Sequence, residues 1–260
     1  MSLSTENECA TTTPVADLRD VHVVFTTPTG DERHVLNGVD LQVRPGEFLV
    51  LVGKSGCGKT TILNMLAGLV EPTAGEVDML GGQPRDARER MSYMFARDAL
   101  IPWRTARKNV EFPLELRGKP RHERREKSAR YLEMVHMSHA SSQWPWQLSQ
   151  GMRQRVALAR TWASEPDILL MDEPFAALDA QTRLAVQQEL VGMWKATGKA
   201  VIFVTHDLNE ALMLGQRVVL VKDGQVAIEV NVPFEYPRSA ELTTHPDFQS
   251  LRRELMCHFL

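Results

Sequence analysis

The feature that most constrains the fold is a nine-residue run rich in glycine, lysine and threonine, which directly follows the apolar stretch Phe48-Leu49-Val50-Leu51-Val52. A strand, a glycine-rich loop and a helix in this order form the phosphate-binding loop of nucleotide-binding proteins. Glycines let the loop turn its amides inward, toward the positive end of a helix that we expect to open near Thr60. The run therefore predicts a site for ATP or GTP made of Gly53, Lys54, Ser55, Gly56, Cys57, Gly58, Lys59, Thr60 and Thr61.

Three side chains of this loop have chemistry suited to a nucleotide. Lys59 adds a full positive charge where the β- and γ-phosphates would lie, and Thr60 offers a hydroxyl to coordinate Mg²⁺. Thr61 lies one residue deeper in the helix, near the α-phosphate. A Gly-Lys-Thr string also occurs as an ordinary surface turn, but the flanking strand and helix favour the phosphate site.

A second group of candidate residues is the pair Asp172-Glu173, which follows the apolar run at 168–171. We expect this strand to emerge from the sheet beside the phosphate loop. Asp172 is then suited to hold hydrated Mg²⁺, and Glu173 to orient or deprotonate the attacking water. Many buried strands end in a surface acid, so the functional interpretation of this pair depends on the upstream loop.

Composition limits the partners and the compartment. The 260 residues include 30 basic and 33 acidic side chains, and a net charge of -3 gives no basic footprint for a nucleic-acid partner. Cys9, Cys57 and Cys257 are too scattered for a disulfide framework or a metal knuckle, which favours reduced thiols in the cytosol. No apolar run approaches the roughly 18 residues that span a bilayer. We therefore expect that another chain makes any membrane crossing.

The order of the remaining patterns predicts an α/β fold. Residues 21–25 and 38–43 are predicted as early antiparallel strands separated by a turn. The apolar runs at 168–171, 200–204 and 218–221 are typical of buried parallel strands, with helical stretches such as 180–196 between them. We divide the chain into a flexible leader (1–14), a nucleotide-binding domain (15–232) with a helical insert at about 94–163, and a C-terminal helical tail (233–260).

A longer motif resembles a known family. The run Leu148-Ser149-Gln150-Gly151-Met152, continuing to residue 160, resembles the signature of ATP-binding-cassette (ABC) ATPases. The family's other motifs follow in order, as Phe-Ala-Ala-Leu-Asp at 175–179 and Thr-His-Asp at 205–207. The resemblance covers about residues 15–230. It implies a P-loop NTPase (RecA-like) core with an antiparallel β subdomain and an inserted α-helical subdomain, ATP and Mg²⁺ as cofactors, and ATP hydrolysis.

The resemblance also implies roles for single residues in a head-to-tail dimer with a second copy or a paralogous cassette. Ser149 and Gly151 would touch the γ-phosphate of ATP held by the other subunit. Asp179 matches the family residue that crosses this interface, although it is also placed to cap the helix that follows. His206 matches the histidine that contacts the γ-phosphate and the attacking water. Phe25 matches the aromatic residue that stacks on adenine, with a buried strand residue as the alternative.

Two positions depart from the family pattern. Gln150 replaces the first glycine of the signature, and we expect binding to survive because Ser149 and Gly151 remain. Ala96 stands where the family has a glutamine that contacts Mg²⁺ and water. We expect Asp98 or a water molecule to take over this contact, with hydrolysis retained.

Three further stretches, at 100–105, 171–175 and 246–255, resemble the nitrate, sulfonate and taurine branch of ABC importers. This resemblance implies a peripheral ATPase subunit on the cytoplasmic face of the inner membrane. Its partners would be integral membrane permease subunits and, indirectly, an extracytoplasmic solute-binding protein. Pro102 and Trp103 would suit a contact with the permease, or packing within the helical insert. The alternative is an ABC ATPase of an envelope complex that performs mechanotransmission or extracts lipids.

Overall fold

The computed structural model describes residues 13–26 and 29–259. Its strands are β1 (Ala16–Thr26), β2 (Glu32–Val43), β3 (Phe48–Val52), β4 (Ala74–Met79), β5 (Met91–Met94), β6 (Ile168–Asp172), β7 (Ala200–Thr205), β8 (Arg217–Lys222) and β9 (Gln225–Asn231). Its α-helices are α1 (Lys59–Leu66), α2 (Ala106–Leu116), α3 (Arg121–Met134), α4 (Gln150–Ala163), α5 (Ala180–Thr197), α6 (Leu208–Leu214) and α7 (Pro246–Phe259). The leader predicted at 1–14 lies outside the described residues, except for Thr13 and Pro14.

Six strands form the large sheet, in the order β5-β6-β7-β3-β8-β9. The first five of these strands are parallel, and β9 pairs with β8 in the antiparallel direction. The three late apolar runs are β6, β7 and β8, so their prediction as parallel strands is confirmed. Because β6, β7 and β3 are neighbours, the segments that follow them meet at one edge of the sheet. Asp172 ends β6, and the segments that follow β6, β7 and β3 contain Glu173, His206 and the phosphate loop.

Both faces of the large sheet are buried, which explains the continuous apolar runs in its strands. Along β3, Val50 packs into a hydrophobic cluster with α4, α5 and α6, whereas the next residue, Leu51, packs into a second cluster with α1. This alternation follows the two-residue period of a strand. Helices therefore hold the sheet from both sides and fix the edge at which the phosphate loop lies.

A three-stranded sheet, in the order β2-β1-β4, packs on the α1 side of the large sheet. The early strands predicted at 21–25 and 38–43 lie within β1 and β2, which are antiparallel, so this prediction is confirmed. Leu18 and Val39 from the small sheet share one hydrophobic cluster with Ile62 of α1. The small sheet is thereby packed against the helix that begins at the phosphate loop.

Three helices, α2, α3 and α4, lie between β5 and β6, in the segment predicted as a helical insert. The loop that leads into α2 is fixed by Asn109, which is fully buried. Its Oδ1 accepts from the Ile101 amide at 2.7 Å, and its Nδ2 donates to the Arg104 carbonyl oxygen at 2.9 Å. Between these anchors Trp103 is 74% exposed, so packing of this ring within the helical segment is excluded.

The C-terminal tail predicted at 233–260 contains α7. Phe248 and Leu255 of this helix are fully buried in the cluster that also covers one face of the large sheet. Among residues 13–26 and 29–259, no helix combines the length and the apolar character needed to cross a bilayer. The division of the chain into leader, nucleotide-binding domain and tail stays a prediction.

A buried ion pair ties the start of β3 to β8. Arg217 Nε donates to Glu47 Oε1 at 2.6 Å, with only 9% and 6% of the two side chains exposed. We expect Glu47→Ala to lower the free energy of unfolding by about 3–5 kcal/mol, because it leaves a buried guanidinium without its main partner. Urea unfolding followed by circular dichroism measures the change.

The matched control for this prediction is Glu71→Ala. Glu71 pairs with Arg85 at the same distance, 2.6 Å, but these side chains are 71% and 63% exposed. Its removal should change the free energy of unfolding by less than about 1 kcal/mol, since solvent screens the pair. Equal losses in the two variants would contradict the role given to burial.

Candidate active site

Two glycines give the phosphate loop its shape, and the helix that follows the loop has no side-chain cap at its first residue. Gly56 and Gly58 have φ angles of +82° and +109°, in the left-handed region that favours glycine. Gly58 is also the N-cap of α1, so no side-chain oxygen accepts from the first amides of that helix. A Cβ at Gly58 would lie 2.6 Å from Leu36 Cδ2. The start of α1 therefore offers amide donors and the positive end of its dipole to an anion.

Lys59 places a cation inside this loop. Its side chain is 4% exposed, and Nζ donates to the carbonyl oxygens of Gly53 at 2.7 Å and Lys54 at 2.9 Å. These neutral carbonyl oxygens accept hydrogen bonds from two of the three ammonium hydrogens without cancelling the charge. The positive charge remains to attract a phosphate.

The loop opens into a cleft of about 420 Å³ that is also lined by Phe25, Arg33 and Glu173. Phe25 is 43% exposed, so the alternative that it is a buried core residue is wrong. A cleft of this size accommodates a small-molecule ligand. One cavity thus contains both a phosphate-binding loop and an exposed aromatic ring, although stacking of Phe25 on a base stays a prediction.

The two predicted metal ligands are adjacent. Thr60 Oγ1 donates to Asp172 Oδ1 at 3.1 Å. Burial raises the pKa of Asp172 and the neighbouring Glu173 adds to the rise, whereas the hydrogen bond from Thr60 opposes it. A cation bound at these oxygens would offset the cost of burying the carboxylate. A hydroxyl and a carboxylate, completed by water and phosphate oxygens, form a donor set that fits Mg²⁺.

The predicted catalytic residues Glu173 and His206 are also in contact. Oε2 of Glu173 lies 2.9 Å from Nδ1 of His206. Glu173 has a φ angle of +43°, and such backbone strain in a residue other than glycine clusters at functional sites. The two side chains are 28% and 57% exposed, so water reaches them. The parallel pairing of β6 with β7 brings the pair together.

The signature residues lie together, but apart from the phosphate loop of their own chain. Ser149 caps α4, because its hydroxyl accepts from the Met152 amide at 3.3 Å. Asp179 caps α5 by accepting from the Thr182 amide at 3.0 Å, and this hydrogen bond lowers the pKa of Asp179. A Cβ at Gly151 would lie 2.5 Å from Thr182 Cγ2, so the two helix starts touch. Neither Ser149, Gly151 nor Asp179 lines the cleft at the phosphate loop.

Asp98 has partners of its own. Its Oδ1 accepts from the Leu100 amide at 3.1 Å, and its Oδ2 accepts from Arg153 Nε at 3.0 Å. Arg160 also donates to the Asp98 carbonyl oxygen at 2.7 Å. Both carboxylate oxygens are thus bonded to the loop after β5 and to α4. The expectation that Asp98 or a water molecule takes the place of the glutamine missing at Ala96 stays a prediction.

Three residues at the site were not predicted from the sequence. Arg33 of β2 lines the cleft. The hydroxyl of Tyr93, on β5, lies 3.2 Å from Asn64 Oδ1 and 3.5 Å from Asp172 Oδ2. Asn64 follows Thr60 by four residues on α1, so the helical period was a usable signal for it. The short strand β5 has no comparable pattern that would have placed Tyr93.

Comparison with known proteins gives a family and several relatives. Residues 36–176 match the family model described as ABC transporter. The chain is similar to the taurine import ATP-binding protein TauB of Chromobacterium violaceum, with 42% identity over 234 residues, 87% of this chain and 90% of the relative. It is also similar to the nitrate import ATP-binding protein NrtC of Synechococcus elongatus, with 40% identity over 242 residues. That alignment covers 91% of this chain but 37% of NrtC, which is much longer.

A solved structure agrees with these relatives. The fold is similar to that of the ATP-binding cassette MJ0796, solved as a dimer in a post-hydrolysis state bound to ADP and Pi. The TM-score is 0.75 and the identity 34%, over 85% of this chain and all of the other.

Proposed function

This chain belongs to the ABC transporter family, by its match over residues 36–176, and we propose that it energises the import of a small anionic solute through a membrane complex. It is an ATPase whose hydrolysis is coupled to transport. The observation that carries the proposal is the convergence of the phosphate loop, Asp172 and the Glu173–His206 pair at one edge of the sheet.

Nucleotide binding uses the residues around the cleft. The amides at the start of α1 and the ammonium group of Lys59 bind the β- and γ-phosphates. Phe25 stacks on the adenine ring at the open side of the same cleft. Thr60 and Asp172 hold Mg²⁺, which when bound neutralises charge on the phosphate oxygens.

Hydrolysis depends on Glu173. Its carboxylate orients the attacking water and accepts a proton from it as the bond from the water oxygen to the γ-phosphorus forms. The bond between this phosphorus and the bridging oxygen to the β-phosphate breaks in the same step, and ADP leaves. His206, 2.9 Å from this carboxylate, fixes the orientation of the side chain. Its proposed second contact is with the γ-phosphate. The strained backbone at Glu173 holds the carboxylate at the rim of the cleft.

A second copy of the chain completes the site. Ser149 and Gly151 at the start of α4, and Asp179 at the start of α5, contact the ATP or the phosphate loop of the partner in a head-to-tail dimer. The amide groups and the dipole at the start of α4 suit the γ-phosphate. This arrangement gives a function to three residues that do not line the cleft of their own chain.

The cargo and the other partners are inferred from the relatives. TauB and NrtC are named for the import of taurine and nitrate, so a sulfonate or a small inorganic anion is the proposed class of solute. Permease subunits would bind this chain at the cytoplasmic face of the membrane and take the solute from an extracytoplasmic binding protein. The exposed ring of Trp103, held by the Asn109 anchors, is a proposed contact with a permease subunit.

Purification from gently solubilised native membranes tests the proposed function. We expect a tagged chain to recover a multi-spanning permease, identified by mass spectrometry. Vesicles of the complex should take up labelled taurine or nitrate, presented outside with the solute-binding protein, when ATP is enclosed in the lumen. Vesicles prepared with Lys59→Ala should contain the same complex and show no uptake. Recovery of only an envelope enzyme, without a permease, would contradict the importer assignment.

A further inference from the structure

Tyr93 lies on the same face of the large sheet as the metal-binding acid. It pairs with Leu170 in the parallel ladder between β5 and β6. Asp172 follows Leu170 by two residues, so its side chain emerges on the same face. Leu170 and Tyr93 both belong to the hydrophobic cluster that α1 covers, which identifies this face as the one beneath α1.

Two hydroxyl groups lie close to the two carboxylate oxygens of Asp172. Thr60 Oγ1 donates to Oδ1 at 3.1 Å, and the Tyr93 hydroxyl lies 3.5 Å from Oδ2. The same phenol oxygen is 3.2 Å from Asn64 Oδ1, so the tyrosine proton lies between two acceptors. Asn64 is one helical turn after Thr60 on α1. The carboxylate is thus held between α1 on one side and β5 on the other.

We propose that Tyr93 is a positioning residue for Mg²⁺ binding, which fixes the Asp172 carboxylate so that Oδ1 and the Thr60 hydroxyl face the metal together. This inference rests on the proposed function, because it takes Asp172 as a holder of the metal. Tyr93 touches neither nucleotide nor metal and acts through Asp172. A carboxylate that rotates about its last side-chain bond would present the metal with a less well-defined ligand.

The position of Tyr93 also links Asp172 to the loop that departs from the family pattern. Its ring packs on Phe95, with 4.6 Å between the ring centroids, and Phe95 is 50% exposed. Phe95 directly precedes Ala96, where the family glutamine is missing. The phenol therefore provides a contact from β5 to the metal-holding acid that does not need a side chain at position 96.

The test compares nucleotide binding with and without the metal. For Tyr93→Phe, which removes only the hydroxyl, we expect the gain in ATP affinity on adding Mg²⁺ to fall by about three- to tenfold, the effect of one lost hydrogen bond. ATP affinity in EDTA should be unchanged, because the phosphate loop and Phe25 are intact. Isothermal titration of the full-length chain with ATP gives both values. The inference is wrong if Tyr93→Phe keeps the full gain in ATP affinity on adding Mg²⁺. It is also wrong if the variant loses as much ATP affinity in EDTA as it does with Mg²⁺.

Two further variants separate positioning from a merely structural effect. Tyr131→Phe deletes a hydroxyl that lies 3.4 Å from Glu165 Oε1, outside the cleft, and should leave the gain with Mg²⁺ unchanged. In an Asp172→Asn background, Tyr93→Phe should cause no further loss, since its effect passes through the carboxylate. If the losses caused by Tyr93→Phe and Asp172→Asn add up in the double variant, Tyr93 does not act through Asp172. If ATP binding to the unaltered chain does not respond to Mg²⁺, the proposed metal site fails, whatever the result for Tyr93.

Discussion

Glu173→Gln is expected to lower the steady-state rate of ATP hydrolysis by at least about a hundredfold, because an amide cannot accept the proton of the attacking water. ATP binding should persist, since glutamine has nearly the same size and the phosphate loop is untouched. With ATP hydrolysis blocked, the head-to-tail dimer should accumulate and elute from a sizing column at twice the mass of the monomer. Phosphate release and elution volume give the two readouts.

A glutamate outside the cleft provides the control for this substitution. Glu165→Gln makes the same chemical change at a side chain that pairs with Lys127 at 2.8 Å. It should hydrolyse ATP at close to the normal rate and show no trapped dimer. A Glu173→Gln chain that keeps its hydrolysis rate would exclude Glu173 as the base. A stable ATP-bound monomer would argue against the composite site.

Lys59→Ala is expected to weaken ATP binding by about 10- to 150-fold, the value of a charge-assisted hydrogen bond to a phosphate. Lys54→Ala removes the same charge from an exposed position of the same loop and should change the affinity much less. Fluorescence titration with a labelled ATP analogue measures both variants, and thermal unfolding verifies that each is folded. Similar affinities for the two variants would show that Lys59 contributes only general electrostatic attraction.

The sequence predicted the parts of the fold that are buried on both faces. β6, β7 and β8 were recognisable because a parallel strand between helices needs an uninterrupted apolar run. β5 and β9 were not predicted, and both lie at an edge of the large sheet. Along β9 exposed and half-buried residues alternate, so its apolar residues do not form a continuous run like those of β6, β7 and β8. Edge strands need less hydrophobic burial and leave a weaker signal.

The candidate site also contains residues that the sequence predicted and residues that it did not. Residues 53–61 are contiguous, so their chemistry is readable without a fold. Tyr93 was missed because it lies 79 residues before Asp172 in the chain, and only the pairing of β5 with β6 brings the two residues together. Phe25 was left between adenine stacking and core packing, since an aromatic residue in a strand suits both. Its exposure in the folded structure removes the second option, a distinction that depends on the whole three-dimensional arrangement.

The contact at Gly151 makes a pair of helix starts into one mechanical unit. Because a methyl group at position 151 would overlap the side chain of Thr182, α4 and α5 meet there with no intervening layer. The caps Ser149 and Asp179 each lie within three residues of this contact between Gly151 and the Thr182 side chain. A displacement of α4 carries the start of α5 with it. The starts of α4 and α5, both of which a neighbouring chain would contact, must then bind to that chain and separate from it together.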